Sequence, residues 1–442
     1  MVNKLLRKIN IKNLNEENLN LALFLSGKSI SLFGSAIYTF VVGLYLLRVT
    51  GSGLSFATNI VLYTLPIVFI NPFAGVLADK MEKKVLIVGA DLINGVFLFV
   101  VYLLAIKVGL SIPLVYISTF LMTVLSTFFN IGIESAKPRL VSKESLVKIN
   151  SLARVIESFS YLIGPVAGGL IYSLIDTKQF ILLNAISFLL AAFLEYFINY
   201  KYNSSLKSED QKENESISTI WEKLKEGYNY LFNRPHLKSL IYVFIALNFF
   251  FNFTVIVPLP YLLNTIWKVD STVYGIVQGG LPVGMITGAF VVNKVLKNTS
   301  YNILLKKIGF YSGFGVLAFA LPLIIISGIP NSYFITIYYT ILMFLGGLVV
   351  AWVDIPASVL LQKVVPENIL GRVISVKLSI IKTIVPITLI LSGYLLELIS
   401  PIYIILIGAS FFLGFNFWFF VLKSNNNFVN LSSIQLVENS YK

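Results

Sequence analysis

The sequence predicts an all-α integral membrane protein with twelve transmembrane helices in two six-helix bundles. Hydrophobic residues make up 57% of the chain and charged residues only 12%, whereas a soluble domain carries about 25% charged residues. Twelve apolar runs reach the roughly 20 residues that a helix needs to cross a bilayer. A weak internal repeat relates the first six runs to the last six. We therefore expect one bundle in residues 1–200, a linker in 201–238 and a second bundle in 239–442.

The twelve predicted spans follow one another through short loops. They cover residues 21–47, 54–77, 85–106, 112–133, 150–174, 180–200, 239–266, 273–295, 303–327, 333–360, 373–398 and 402–422. The first run is longer than the apolar core of a signal peptide, and no small-residue cleavage site follows it. We therefore expect it to be retained as a membrane span.

The only long polar segment lies between the sixth and seventh spans. Residues 203–216 are charged and poor in hydrophobic residues, which indicates a flexible chain. The next residues place apolar side chains at helical spacing, namely Ile217, Ile220, Leu224, Tyr228 and Leu231. This spacing predicts an amphipathic helix that lies on the cytoplasmic surface.

Basic residues predict the orientation. If both termini are cytoplasmic, the loops placed outside hold only Arg48, Lys107, Lys178 and Lys268. The loops placed inside then hold Lys80, Lys83, Lys84, Lys137, Arg139, Lys143, Lys148, Lys294, Lys297, Lys306, Lys307, Lys363 and Arg372. This asymmetry favours a multi-pass protein of the plasma or inner membrane with cytoplasmic termini. The net charge of +13 is then topological, and we expect no nucleic-acid partner because the charges are scattered over short loops.

The two halves of the chain align without gaps when residues 140–146 are placed on 364–370. The alignment pairs Lys148 with Arg372 and Asn130 with Asp354. Repeats of this kind are typical of two bundles related by an axis along the membrane normal, with the substrate site between them near the midplane. Asn130 is therefore a candidate cavity residue.

Residue types that carry catalysis or bind metals are scarce in this sequence. There is no cysteine, and the single histidine, His236, lies in a polar loop segment. No Walker A pattern and no paired acid/base or metal constellation within one loop is present. We therefore expect neither an enzyme nor a metal or cofactor site.

The loop between the second and third spans combines a glycine, an aspartate and a basic cluster. It reads Gly75-Val-Leu-Ala-Asp79-Lys80-Met-Glu82-Lys83-Lys84. This resembles the loop between helices 2 and 3 of major facilitator superfamily transporters, with Glu82 where a second glycine is usual. The resemblance implies a gating motif. Asp91 and Arg154 lie near the inner ends of their spans, so we expect them to join Asp79 and the basic loops in a charge network that latches the two bundles.

Four other segments resemble the macrolide-efflux and siderophore-exporter branch of that superfamily. They are residues 27–35, 136–150, 164–169 and 361–373. The resemblance implies an exporter of drug-like, macrolide-like or siderophore-like molecules and a link to antibiotic resistance. It does not identify the substrate.

The fifth span contains Gly164, Pro165, Gly168 and Gly169. These residues resemble the second half of the antiporter motif, although serines stand where the first half would carry glycines. A proline bends a helix, and small residues let helices pack closely. The alternative is a proline kink with packing glycines and no role in the direction of transport.

Ionisable residues within spans are candidates for coupling because burying them in lipid is costly. Lys28, Glu157, Asp354 and Lys382 are predicted to lie deepest, whereas Glu195, near the end of span six, is expected to be solvated. We favour Asp354, within reach of Lys28 or Lys382, as the proton carrier, and Glu157 is the second candidate. A structural ion pair, for example Glu157 with Lys382, remains the alternative for each. The fourth span, residues 112–133, lacks the arginine found in many proton-coupled drug exporters.

Together these features predict a monomeric secondary transporter that exports a small amphipathic molecule in exchange for protons. Its partners would be the lipid bilayer, the substrate and protons. Aromatic residues are 14% of the chain, and an aromatic lining suits amphipathic cargo, although aromatics also populate membrane interfaces. The alternatives are a nutrient importer or symporter on the same fold and a non-transporting membrane sensor.

Overall fold

The computed structural model describes residues 16–142, 145–203, 217–298, 301–326 and 328–422. Side chains at 71–80, 217–221, 223–224, 236, 293, 297–298, 302 and 367–368 lie outside that description. Within the described ranges the chain is helical and has no strand. The motif residues Gly75, Asp79 and Lys80 fall among the side chains that are not described.

The helices are numbered α1 to α13 along the chain. The first bundle contributes α1 Glu16–Thr50, α2 Gly53–Lys80, α3 Lys83–Val108, α4 Ile112–Leu140, α5 Leu146–Leu174 and α6 Thr177–Tyr196. The linker helix is α7 Ile217–Phe232, and the second half contributes α8 Pro235–Phe251, α9 Ser271–Asn298, α10 Tyr301–Ile325, α11 Ser332–Val364, α12 Glu367–Leu396 and α13 Pro401–Phe417. Twelve regions of the described chain are long and apolar enough to cross a membrane, which confirms the predicted number of spans.

The span that begins with α8 is not a regular α-helix throughout. It continues through π-helical turns at Asn252–Ile256 and Leu262–Ile266, which flank the short α-helix Pro258–Tyr261. Pro258 and Pro260 supply no backbone N–H, so the ordinary ladder of helical hydrogen bonds is interrupted there. Ser392 of α12 donates a hydrogen bond to the Phe253 carbonyl at 2.8 Å, so a second helix supports the irregular segment.

The helices form two compact units. The first contains the described residues up to Val42 and from Leu65 to 203, and the second contains Gly43–Thr64 and the described residues from 217 onwards. The second unit therefore includes the end of α1 and the start of α2. There, Ser52 Oγ donates to Glu397 Oε1 at 2.6 Å, and Arg48 donates to the Val269 carbonyl at 2.9 Å. Gly51 makes the turn between α1 and α2 at a φ of +62°, a conformation that favours glycine.

In the first unit, α3 packs along α6 and the helix ends converge around Asn20. The Asn20 side chain donates to the carbonyls of Leu140 and Asn199 and accepts from the Asn199 N–H. These bonds join the start of α1 to the end of α4 and the segment after α6. Beneath them lies an apolar core that includes Phe24, Ile87 and Ile133. The loops that we predict to be cytoplasmic therefore meet at one end of this unit.

In the second unit, α9 crosses α11 at very close range, and α7 packs against α12. Leu231 of α7 is fully buried in an apolar cluster with Leu361 of α11 and Val373 of α12. Tyr230 donates to the Val364 carbonyl at 2.9 Å, and Arg372 pairs with Glu226. A helix is thus present where one was predicted. Leu231 of its predicted apolar face is buried, whereas Tyr228 is 49% exposed, and the side chains of Ile217, Ile220 and Leu224 lie outside the description.

Candidate functional site

A chain of alternating charges crosses the interior of the first unit, and its centre is Lys28 of α1. The Lys28 side chain is only 1% exposed. Its Nζ donates to Glu157 Oε1 of α5 at 2.8 Å and lies 3.6 Å from Glu134 Oε1 of α4. The outer members are Lys137, 2.6 Å from Glu134, and Arg154, 3.0 Å from Glu157. We call these five residues the Lys28 network.

The Lys28 network binds three helices together by charge. An ammonium taken out of water is unfavourable unless carboxylates neutralise it at close range, and Lys28 has two of them. Arg154 is 82% exposed, so its pair with Glu157 is of the weak, screened kind. Lys28 and Glu157 were predicted as cavity and coupling residues, and the structure brings them together as an ion pair.

Two members of the Lys28 network were missed in the sequence. The predicted fourth span ended at residue 133, whereas α4 continues to Leu140 and so places Glu134 and Lys137 on the helix. Lys137, which we had placed in a loop, is buried. The available signal was the spacing of Glu134 and Lys137, since residues three apart share one helix face.

The predicted latch residues fall into separate contacts. Arg154 pairs with Glu157, whereas Asp91 is 1% exposed and accepts a hydrogen bond from Ser31. Lys83 is buried, and the Lys84 ammonium lies 3.8 Å from the centre of the Tyr196 ring. The basic residues at the start of α3 therefore contact the body of the first unit.

Glu195 corrects the sequence-based expectation most clearly. We expected a solvated carboxylate near the end of the sixth span, but its exposure is 0%. The residue lies in the last turns of α6, against Gly27 of α1. We inferred solvation from the position of Glu195 along the helix. That position does not show whether the side chain lies on the solvent-facing or the buried face of the helix.

The glycines of the fifth span bring α5 against α1. A Cβ at Gly164 would lie 2.8 Å from Ala36 Cβ, and one at Gly168 would lie 2.7 Å from a Phe40 ring carbon. Gly169 is also buried, and Pro165 lies inside the helix. This arrangement agrees with close packing at a proline-containing helix. Both the antiporter-motif interpretation and the alternative of a proline kink with packing glycines require such packing.

The second unit contains an apolar cavity of about 340 Å³ between α8, α10 and α11. Aromatic side chains from four helices line it, namely Phe244, Phe251, Tyr311, Phe319, Trp352 and Phe412. The polar groups are few: Asn248, Ser312 and the carboxylate of Asp354. Mostly apolar lining with a few placed polar groups is the usual composition of a small-molecule site.

Asp354 has a cationic neighbour on α12. The charges of Asp354 and Lys377 act on each other, and the Lys377 ammonium lies 4.1 Å from the centre of the Phe244 ring. The Lys377 ammonium therefore lies on an aromatic face of the cavity wall. Asp354, predicted to lie deep, is itself exposed, as are Lys382, predicted as its partner, and Asn130 of the first unit.

Comparisons with known proteins agree with this architecture. The sequence profile of the Major Facilitator Superfamily matches residues 24–381. Macrolide efflux protein A of Streptococcus pyogenes is 25% identical over 376 residues, which are 83% of this chain and 87% of that protein. The protein of the same name from Enterococcus faecalis is 24% identical over 334 residues, which are 74% and 96% of the two chains.

A similar fold is found among solved structures. The crystal structure of a point mutant of the nucleoside transporter NupG superposes with a TM-score of 0.66 at 17% identity, and covers 92% of this chain and 99% of that one. The profile match spans most of the sequence, the chain has twelve spans, and the relatives are transporters rather than enzymes. The chain belongs to the major facilitator superfamily of membrane transporters.

Proposed function

We propose that this transporter exports an amphipathic small molecule across the cell membrane in exchange for protons. Transport would follow alternating access, in which two bundles rock about a central substrate site. The similarity to proteins named for macrolide efflux, over 83% of this chain, favours export and a drug-like or macrolide-like cargo. The site between the bundles remains a prediction from the internal repeat.

The observation that carries the proposal is the aromatic cavity with one acid at its wall. Its volume of about 340 Å³ lies at the lower end of the range for small-molecule sites. The cavity would hold the apolar part of a larger cargo, and flat aromatic rings accept many apolar shapes. Asp354 supplies the ionisable group that is needed to couple cargo transport to proton movement.

Asp354 is the preferred proton carrier, and Glu157 is the second candidate. Asp354 lines the cavity and has one cationic neighbour, Lys377. Glu157 already balances Lys28 and Arg154, so protonating it would break an ion pair inside the first unit. This difference favours Asp354, whose protonation would alter the charge beside the cargo.

The variant Asp354→Asn should bind cargo but lose proton-driven efflux. The amide keeps the size and hydrogen-bonding capacity of the carboxyl group but cannot release a proton. We expect the efflux rate under a pH gradient to fall to the rate measured without the gradient. Efflux is measured in inverted vesicles at equal protein level, with counterflow exchange as a separate assay that needs no net proton movement.

The matched control is Asp270→Asn. Asp270 is exposed in the same unit, and its side chain accepts a hydrogen bond from the Thr272 N–H, which asparagine can replace. This control should transport like the parent. If Asp354→Asn pumps as well as the parent across a pH series, the proton site lies elsewhere and Glu157 is tested next.

Import of a nutrient on the same fold is the principal alternative, and a non-transporting membrane sensor is the second. The direction of labelled-cargo movement in vesicles of known orientation separates exporter from importer. A protein that moves no cargo in either orientation would favour the sensor. The names of the relatives support export, which is why we prefer it.

The orientation is also a proposal, and reporter fusions test it. The basic loops favour cytoplasmic termini, so fusions within residues 204–216 and after residue 422 should report the cytoplasm. A fusion at residues 329–331, between α10 and α11, should report the exterior. A periplasmic signal from the central linker would reverse the proposed orientation.

The gating motif is proposed to latch the two bundles. Gly75, Asp79 and Lys80 have undescribed side chains, and the latch between bundles is inferred from the family resemblance. Lys83, Lys84, Asp91 and Arg154 contribute contacts within the first unit. A role in gating would require some of these contacts to change during transport.

A further inference from the structure

A pair of buried carboxyl groups lies in the first unit, apart from the Lys28 network. Asp91 of α3 is 1% exposed and Glu195 of α6 is 0% exposed. The two helices pack along each other, and Gly95 of α3 sits directly against Leu189 of α6, where a Cβ would lie 2.7 Å from the leucine side chain. The charge of Asp91 acts on Glu195.

The first helix closes over the pair. A Cβ at Gly27 would lie 2.7 Å from Glu195 Cγ and 2.8 Å from Glu195 Oε1, so glycine provides the space that this carboxyl group occupies. One turn further along α1, Ser31 Oγ donates a hydrogen bond to Asp91 Oδ2. The pair is therefore held between α1, α3 and α6.

Most oxygens of this pair have no hydrogen-bond partner among the described residues. Asp91 Oδ1 and both oxygens of Glu195 are buried and unpaired. Both polar atoms of the Asn94 side chain, one turn along α3 from Asp91, are unpaired as well. Buried polar groups normally find partners, so this cluster has capacity for a small ligand that the described side chains do not fill.

The surrounding cations are committed to other groups. Lys28, next to Gly27, pairs with Glu157 and Glu134, and Lys84 lies on the Tyr196 ring. Tyr200 donates to the Glu195 backbone carbonyl at 3.3 Å. Burial, together with the Glu195 and Asp91 charges, raises the pKa of the Tyr200 phenol, which stays neutral. The other described charged groups on α1, α3 and α6 are Glu16, Glu17, Arg48, Lys83, Lys107 and Lys178, and α4 and α5 add Lys137, Arg139, Lys148 and Arg154. The side chains of Asp79 and Lys80 on α2 lie outside the described residues.

We propose that Asp91 and Glu195 form a proton-binding site. Two buried carboxylates with no ion-pair partner among the described side chains would be strongly unfavourable, and a buried acid escapes this penalty by binding a proton. Two interacting acids titrate as a pair, so the pair binds on the order of one proton in this conformation. A shift of α1 at Gly27 and Ser31 would open the carboxyl groups to water and release it.

A role of this proton site in transport rests on the proposed proton exchange. Proton binding itself can be measured without transport. Infrared spectroscopy of the purified full-length protein detects the carbonyl stretch of protonated carboxyl groups. Above neutral pH, exposed acids are ionised, so a remaining band reports buried acids. We expect a band in the parent that persists in Asp354→Asn. Either acid alone can keep the shared proton, so the decisive change is the double variant Asp91→Asn/Glu195→Gln, which should lose the part of the band that persists in Asp354→Asn. If the double variant does not fold, the single variants Asp91→Asn and Glu195→Gln should each shift the frequency of the band, because the proton then resides on one acid. Asp176→Asn, at an exposed position before α6, is the control.

Each outcome decides a separate point. Absence of the band in the parent, or a band of unchanged intensity in the double variant Asp91→Asn/Glu195→Gln, would overturn the proposal. A rise in thermal stability with Na⁺ in the parent but not in Glu195→Gln, without a protonated band, would replace the proton by sodium. If the band behaves as expected while a pH gradient drives no efflux, the proton site stands and the proposed proton exchange fails.

Discussion

Replacing Lys28 by methionine should lower the free energy of unfolding by about 3 kcal/mol. Methionine preserves much of the length and apolar volume of the lysine, but it leaves Glu157 and Glu134 without their shared cation. Removing one partner of a buried ion pair typically costs 3–5 kcal/mol. We expect the lower end of that range because Glu157 is 25% exposed. Thermal unfolding of the purified protein in detergent measures the loss.

Two further variants separate charge from packing. The double variant Lys28→Met/Glu157→Gln removes both charges of the pair and should recover a large part of the lost stability. Arg154→Met removes the exposed outer member of the same network and should cost less than about 1 kcal/mol, as exposed pairs do. If Lys28→Met were no less stable than Arg154→Met, the Lys28 network would not stabilise the first unit.

The membrane spans were predictable because a helix surrounded by lipid must carry apolar side chains along its whole membrane-crossing length. Lipid requires long apolar runs, and twelve such runs are present in both sequence and structure. The helix ends were harder, since a helix continues with polar side chains once it leaves lipid or enters a protein interior. For this reason α4 extends to Leu140, and Glu134 and Lys137 were missed.

Partners of buried charges were not predictable from depth along a helix. Lys382 was proposed beside Asp354, but Lys377 is the neighbour. These lysines are five residues apart and so differ by roughly 140° around the helix. Glu195 illustrates the same limit, because its burial depends on α1 and α3 packing over one face of α6. A single sequence gives the position along each helix but not the neighbour that each face meets.

Alanine at Gly347 should destabilise the second unit by forcing two closely packed helices apart. A Cβ at Gly347 would overlap the Leu281 carbonyl oxygen and lie 2.7 Å from the Met285 backbone nitrogen. In the reverse direction, a Cβ at Gly284 would overlap the Phe344 carbonyl oxygen. These obstacles are backbone atoms of the facing helix, so α9 and α11 must separate. Small residues permit this close crossing of membrane helices.

The size of the effect follows from two opposing terms. Alanine gains about 1 kcal/mol over glycine in a helix interior, whereas overpacking costs 1–3 kcal/mol and occasionally more. A backbone clash cannot be relieved by turning a side chain, so we expect a net loss of about 2 kcal/mol for Gly347→Ala, from the upper end of the overpacking range. Because Asp354 lies two turns further along α11, movement of this helix should also displace the cavity wall and reduce efflux.

Gly346→Ala provides the matched control on the same helix. Its added Cβ would meet side-chain atoms of Phe251 at 3.5 Å and Leu281 at 3.6 Å, which are ordinary van der Waals contacts. This variant should be as stable as the parent or slightly more stable, since the higher helix propensity of alanine is not opposed by overpacking at this position. Folded yield and unfolding temperature of the two variants, measured side by side, test the argument. If Gly347→Ala matched Gly346→Ala in both, α9 and α11 would not need their close crossing to hold the cavity in place.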